Sequence, residues 1–124
     1  MTTYTGHIEP DDSRSVTVTD EDGTRLLPPR LDAANHGPMG FAWCFVGSGP
    51  SQLALALLCD AADVDRARQH YAGFQHYVID RLTRNEGWTI EREDVLAWLV
   101  WLERKAALEA DGGTSPTGWG QVQA

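Results

Sequence analysis

The 124-residue chain is poor in basic residues and in long apolar segments. Ten Lys and Arg stand against 18 Asp and Glu, and the formal net charge of -8 disfavours direct binding to DNA or to an anionic membrane surface. The longest apolar runs, Leu53–Cys59 and Val95–Leu102, are far shorter than the ~20 residues that span a bilayer. The first residues also lack the pattern of a signal peptide. We therefore expect a soluble, cytoplasmic protein that does not enter membranes.

Cysteine and histidine are too few and too scattered to indicate a metal centre. Cys44 and Cys59 both lie in apolar sequence and outside any Cys-x-x-Cys pair, which predicts buried free thiols. His70 and His76 are six residues apart on one predicted helix, so they lie on different faces and cannot share a metal ion.

No catalytic set converges in the sequence. A hydrolase site built from Asp32, His36 and Cys44 is conceivable, but the spacing of these residues does not support it. We therefore expect no enzymatic activity, no metal and no cofactor.

The N-terminal part of the chain predicts a small antiparallel sheet. Residues Arg14–Asp20 alternate between valine and threonine, which is the period of a half-buried strand. A turn that ends at Gly23 follows, and Thr24–Leu27 returns as the second strand of a hairpin. Thr3–Ile8 is a candidate third strand, and Phe41–Val46 is a candidate buried strand. The pattern thus predicts a hairpin with one or two further strands.

The first helix is predicted to lie at the centre of the molecule. Pro50 suits the first turn of a helix, and Ser48 or Gly49 is a candidate cap. Apolar side chains surround the helix from Leu53 to Leu58, so we expect it to be buried on all sides.

Two amphipathic helices are predicted after it. The second, Asp63–Leu82, carries apolar residues at steps of three and four and begins at a capping aspartate. Gly73 in its middle costs about 1 kcal/mol relative to alanine, which predicts a close neighbour there. Trp88–Ile90 leads into a third helix at residues 91–109. The main buried stripe of this helix is predicted to contain Val95, Leu99, Leu102 and Ala106.

These elements predict an α+β fold, a small antiparallel sheet packed with three helices. The single domain is predicted over residues 1–110. Residues 111–124 are rich in Gly, Ser and Thr, which predicts a flexible tail.

The most specific local motif is Gly-Ser-Gly-Pro at the start of the first helix. Backbone N–H groups at a helix N-terminus bind phosphate or carboxylate, so the motif is a candidate anion site. It lacks the Lys-Ser/Thr pair of a P-loop and the third glycine of a dinucleotide-binding loop. A tight turn in which only glycine fits accounts for the same residues. The candidate anion site contains Gly47, Ser48, Gly49, Ser51 and Gln52.

Acidic segments and an aromatic face on the third helix form a candidate partner interface. The acidity is explained by solubility alone, or by a surface that imitates DNA or binds a basic partner. Two tryptophans on one helix face are core residues or interface residues, and the sequence leaves both open. A homodimer through the third helix would use the same face. The candidate interface contains Asp11, Asp12, Asp20, Glu21, Asp22, Glu91, Glu93, Asp94, Trp98 and Trp101.

Several segments resemble an uncharacterised family. Asn35–Trp43 and Gly47–Leu58, the latter with a Gly-Ser-Gly-Pro-x-Gln-Leu-Ala-Leu signature, are similar to a domain of unknown function in small proteins of bacteria, haloarchaea, plasmids and phages. The resemblance covers about residues 4 to 102, although Cys44 and the two residues after it depart from the family pattern. No activity is established for the family, so the resemblance implies no catalytic residue.

The resemblance implies a context of mobile elements, in which small acidic proteins often bind and inhibit host machinery. We therefore predict a non-enzymatic protein that binds a protein or ribonucleoprotein complex of the host, for example as an anti-CRISPR inhibitor. The alternative is a small-ligand or anion-binding domain that uses the Gly-Ser-Gly-Pro motif.

Overall fold

The computed structural model describes residues 1–35, 40–43, 48–83 and 85–110, and shows the predicted α+β fold. The strands are β1 (Thr3–Ile8), β2 (Arg14–Asp20), β3 (Gly23–Leu26) and β4 (Trp88–Glu91), in the spatial order β3-β2-β1-β4. The helices are α1 (Ser48–Ala61), α2 (Val64–Tyr77) and α3 (Arg92–Ala110). None of these helices is long and apolar enough to cross a membrane. The predicted tail, residues 111–124, lies outside the described residues.

The predicted hairpin and the strand before it are confirmed. Because side chains alternate between the two faces of a strand, Val16 and Val18 point into the core while the threonines of β2 line the outer face. Tyr4 of β1 lies opposite Val18 and is also buried. Gly23 adopts a φ of 124°, which favours glycine at the end of the turn.

The fourth strand is not the one predicted. Phe41–Trp43 forms no strand, and the rest of that predicted segment lies outside the described residues. Instead Trp88–Glu91 pairs antiparallel with β1, although the sequence predicts that Trp88–Ile90 leads into the third helix and that residue 91 begins it. Trp88 lies opposite Gly6, where a Cβ atom would come within 2.3 Å of the indole. Because Gly6 has no side chain, the Trp88 ring fits beside it. The paired residues of the two strands are more than 80 positions apart in the sequence, so local sequence patterns do not predict that they pair.

The prediction of a buried first helix is confirmed. Every residue from Leu53 to Leu58 is at most 1% exposed, and these residues share one core with the sheet. The predicted cap is wrong, because α1 already begins at Ser48 and both Ser48 and Gly49 are helical. A Cβ atom on Gly49 would lie 2.8 Å from Cβ of Ala42, so glycine permits a close approach of the preceding segment.

The second helix starts where predicted and ends earlier. The Asp63 side chain accepts a hydrogen bond from the backbone N–H of Arg66 at 2.8 Å, as expected of a cap. The helix ends at Tyr77 because Val78 leaves the helical conformation, with φ -120° and ψ -61°. A short 3-10 turn then buries Ile79 against the core.

The third helix packs closely on the second. A Cβ atom on Gly73 would lie 2.8 Å from Cδ2 of Leu102, which confirms the close neighbour predicted there. Val95 and Leu99 are fully buried and Leu102 nearly so, as predicted. Ala106, predicted in the same stripe, is exposed. Residues 103–110 are exposed or half-buried, so this part of the stripe has no core to face.

Burial of a cysteine is confirmed where the structure describes it. Cys59 on α1 is 7% exposed and free, and its burial raises the pKa of the thiol. The second cysteine, Cys44, lies outside the described residues. The raised pKa and the burial describe an unreactive thiol.

A buried tyrosine connects the sheet to α1. The Tyr4 hydroxyl donates a hydrogen bond to Asp60 at 2.8 Å, and Arg25 donates to the other carboxylate oxygen at 3.0 Å. Burial, followed by the hydrogen bond to Asp60, raises the pKa of Tyr4 above its ordinary value. Folding therefore favours the neutral phenol.

The Tyr4→Phe substitution is expected to flatten the loss of stability at high pH. The raised pKa of Tyr4 contributes stability that is complete below the ordinary tyrosine pKa of about 10 and declines as the pH rises towards the folded-state pKa. We expect the free energy of unfolding, measured in urea from about pH 8 to 11, to fall more steeply in the wild type than in the variant. Cys59 is present in both proteins, so its own titration cancels. Equal slopes would contradict this role of Tyr4.

Candidate interaction surface

The sheet register brings together two acidic segments that are far apart in the sequence. Thr3 on β1 lies opposite Thr19 on β2 and opposite Glu91 on β4. The β2–β3 turn and the start of α3 therefore lie at the same end of the sheet, about 10 Å apart at two inter-strand spacings. We call this surface the acidic end. It contains Asp20, Glu21, Asp22, Glu91, Glu93 and Asp94.

The positive groups near the acidic end neutralise little of its charge. Within the described ranges its one ion pair joins Glu21 to the N-terminal ammonium of Met1, at 3.9 Å and with both groups exposed. Arg92 stands between two of the glutamates in the sequence and its positive charge offsets one of theirs, although its Nε donates to the backbone carbonyl of Ala61 rather than to a carboxylate. Arg25 is paired with Asp60. The acidic end thus keeps an excess of negative charge at the surface.

Two of the predicted interface residues lie at the opposite end of the sheet. Asp11 and Asp12 belong to the turn between β1 and β2. Hydrogen bonds from Ser13 lower the pKa of Asp11, and Arg14 pairs with Asp12 at 3.2 Å. These two carboxylates therefore help to shape their own turn, and the structure does not bring them to the acidic end.

Both predicted tryptophans belong to a cluster of three aromatic rings. Trp98 and Trp101 meet edge to face with centroids 5.6 Å apart. The ring of Tyr77, at the end of α2, packs against both tryptophans. Its centroid lies 6.1 Å from that of Trp98 and 4.9 Å from that of Trp101. Trp98 is half-buried against the core, whereas Trp101 remains 43% exposed. We call these three residues the aromatic cluster.

A surface depression of about 720 Å³ joins the aromatic cluster to the acidic end. Sequence analysis missed three of its residues: Ala97 on α3, and Tyr77 and Ile90, which come from α2 and β4. Tyr77 stands near the end of an amphipathic helix, and nothing in the local pattern indicates which neighbour it meets. The depression is lined by Tyr77, Ile90, Asp94, Ala97, Trp98 and Trp101.

Two of the side chains proposed for anion binding, those of Ser51 and Gln52, are engaged inside the protein. The Ser51 hydroxyl donates to Gln75 Oε1 at 2.7 Å. Gln52 is 1% exposed, and its Nε2 donates to the carbonyls of Pro29 and Ala34. These contacts hold α1 to α2 and to the segment after β3. The first residue of the motif lies outside the described residues, and anion binding there stays a prediction.

Metal ligands do not converge in the part of the chain that the structure describes. No group of three His, Cys, Asp or Glu residues in these ranges could hold a metal ion. Of the conceivable hydrolase set, His36 and Cys44 lie outside the described ranges. Asp32 forms an exposed ion pair with Arg30 at 3.0 Å.

The chain matches a family model described as a family of unknown function (DUF6166) over residues 4–101. The match spans all four strands, α1, α2 and the first half of α3. The chain belongs to DUF6166. No curated protein and no solved structure matches it. The acidic end and the aromatic cluster both lie within the DUF6166 region.

Proposed function

We propose that this DUF6166 protein is a non-enzymatic interaction protein that binds a basic macromolecular partner through its acidic end. The observation that carries this function is the convergence of residues 20–22 and 91–94 at one end of the sheet. Two acidic segments that serve only solubility have no need to meet. Their meeting creates one surface with an excess of negative charge.

The physical basis is electrostatic steering. Each exposed ion pair with a partner contributes only about 0–1 kcal/mol, because solvent screens it. Several carboxylates on one surface, however, sum to a field that speeds the encounter with a positively charged partner. The same field repels nucleic acid phosphates, so the partner is a protein or a ribonucleoprotein with exposed basic residues rather than free DNA.

The narrower form of this function is inhibition of a host defence complex, as in an anti-CRISPR protein. Such complexes bind nucleic acid in positively charged channels, which an acidic surface could occupy. Support for this form comes from the sequence resemblance to small proteins of plasmids and phages and from the negative charge. The site of action would then be the cytoplasm of the host.

Charge reversal in either acidic segment is expected to abolish capture of the same partner. Glu21→Lys/Asp22→Lys alters the β2–β3 turn, and Glu91→Lys/Glu93→Lys alters the end of β4 and the start of α3. Cross-linking in a host lysate at low salt, followed by quantitative mass spectrometry, would identify the proteins that each variant retains. We expect both variants to lose about tenfold or more of the wild-type signal for one basic partner. The wild-type signal should itself fall as the salt concentration rises.

The matched control reverses two carboxylates elsewhere. Asp65→Lys/Glu86→Lys changes the net charge by the same amount, at exposed positions on α2 and in the loop before β4. We expect it to retain the partner. If the control variant loses the partner to the same extent, binding depends on the net charge of the whole protein and not on the acidic end. If either acidic-end variant retains it, the two segments do not act as one surface.

A further inference from the structure

A row of residues on the outer side of α3 has the spacing of a seam between paired helices. Steps of three and four residues line one face of a helix, as in coiled coils. This face points away from Val95, Leu99 and Leu102, which α3 buries in the core. We call the row the α3 stripe. It contains Asp94, Ala97, Trp101, Arg104 and Leu108.

The α3 stripe exposes large apolar side chains. Trp101 is 43% exposed and Leu108 is 68% exposed, and Val100 beside them is 40% exposed. Contiguous exposed apolar residues on one helix typically mark an interface. The Trp101 ring is already held by Tyr77 and Trp98, so a partner would lose little side-chain entropy in ordering it.

The charges along α3 have opposite signs at its two ends. Asp94 lies in the first turn, and Arg104 and Lys105 lie about 15 Å further along the helix. Among the described residues, neither Asp94 nor Arg104 has an ion-pair partner. Lys105 pairs with Glu109 within the same helix, at 2.7 Å and at the surface. An exposed pair of this kind is weak enough to exchange for a better one.

We propose that the α3 stripe is the interface of a homodimer, in which two α3 helices pair antiparallel about a twofold axis beside Trp101. A twofold axis makes each contact occur twice with the same residues. The antiparallel arrangement places Asp94 of each copy within about one turn of Arg104 and Lys105 of the other. A parallel arrangement would place like charges together. The charge pattern therefore selects both a second copy as the occupant and its direction.

The same arrangement fills the depression beside the aromatic cluster. In the antiparallel pair, Leu108 of one copy lies beside Ile90 and Asp94 of the other, which line that depression. Leu108 is among the most exposed large apolar side chains in the described part of the chain, and this contact would cover it. One helix about 28 Å long gives a small interface, so the dimer is expected to be a weak one.

The dimer is independent of the proposed function. It uses Asp94 but none of the other five residues of the acidic end. Those five carboxylates remain available to a basic partner in each copy. Arg104 and Leu108 lie beyond the DUF6166 match, so the inference concerns this chain and not the whole family.

Sedimentation equilibrium of the full chain tests the dimer. We expect the mass to rise from 13.7 kDa towards twice that value between about 1 μM and 1 mM. Asp94→Lys alone and Arg104→Glu/Lys105→Glu alone should each weaken association about tenfold or more, because each sets like charges against each other. An equimolar mixture of these two variants should regain the dimer, because every interfacial pair in it again joins opposite charges.

Asp65→Lys is the matched control for the charge change. Asp65, like Asp94, is an exposed carboxylate in the first turn of a helix, so both substitutions lose the same interaction with the helix dipole. Circular dichroism would verify that each variant is folded. We expect the Asp65 variant and the Glu21→Lys/Asp22→Lys variant to remain dimeric. Loss of partner binding in the latter, with the dimer retained, separates the two proposals.

Two results would overturn the homodimer. The first is a wild-type chain that stays monomeric at every concentration, which is also the result expected if residues 111–124 or a different protein cover the α3 stripe. The second is a mixture of the two charge variants that remains monomeric while the wild type dimerises, because the antiparallel contacts would then be absent.

Discussion

Replacing Leu57 with alanine is expected to lower the free energy of unfolding by about 2–5 kcal/mol, the range found for a truncated buried leucine. Leu57 lies in the middle of α1 and is 1% exposed. The helix contacts both α2 and α3 and shares its core with the sheet, so surrounding groups cannot easily close the cavity. Urea unfolding followed by circular dichroism measures this loss.

The matched control for Leu57 is another leucine at the surface. Leu26 on β3 is 69% exposed, and Leu26→Ala should change the stability by about 0.5 kcal/mol or less. A loss below about 1 kcal/mol for Leu57→Ala would mean that α1 is not the centre of the core.

Replacing Gln52 with leucine is expected to cost about 2–6 kcal/mol, although the new side chain is apolar and of similar size. The Gln52 side chain donates to the carbonyls of Pro29 and Ala34, and it is 1% exposed. The substitution would bury those two acceptors without this donor, at about 1–3 kcal/mol for each unsatisfied group. Thermal or urea unfolding would report the loss.

The control for Gln52 is the same substitution at an exposed glutamine. Gln69 lies on the outer side of α2, and Gln69→Leu should change the stability by about 0.5 kcal/mol or less. Equal effects at both positions would show that the two hydrogen bonds contribute nothing to folding. A large effect at Gln52 alone would assign this residue of the candidate anion site a structural role.

Elements with strong local patterns were predicted well. The alternation in Arg14–Asp20 and the continuous apolar face of Leu53–Leu58 each depend on residues close together in the chain. The capping role of Asp63 depends on a contact only three residues long. In all three cases the interacting groups are neighbours in the sequence, so their spacing is sufficient evidence.

Predictions that required knowledge of a distant neighbour failed or stayed open. Trp88–Ile90 resembles the approach to a helix, and only the pairing with β1 makes Trp88–Glu91 a strand. Ala106 continues the stripe of α3 in sequence but has no core to face. The spacing of Trp101 along α3 fits either an interface residue or a core residue. The structure leaves it partly exposed, with one contact to Tyr77 at the end of α2.

The amino-acid order alone determined the α+β class, the burial of α1 and the excess of negative charge, because periodicity and composition act through local geometry and simple summation. Only the tertiary structure decided that residues 20–22 and 91–94 share one end of the sheet and that Tyr77 joins the two tryptophans. Strand register and helix packing are set by contacts between segments tens of residues apart. No local pattern records which of the possible partners a segment will meet.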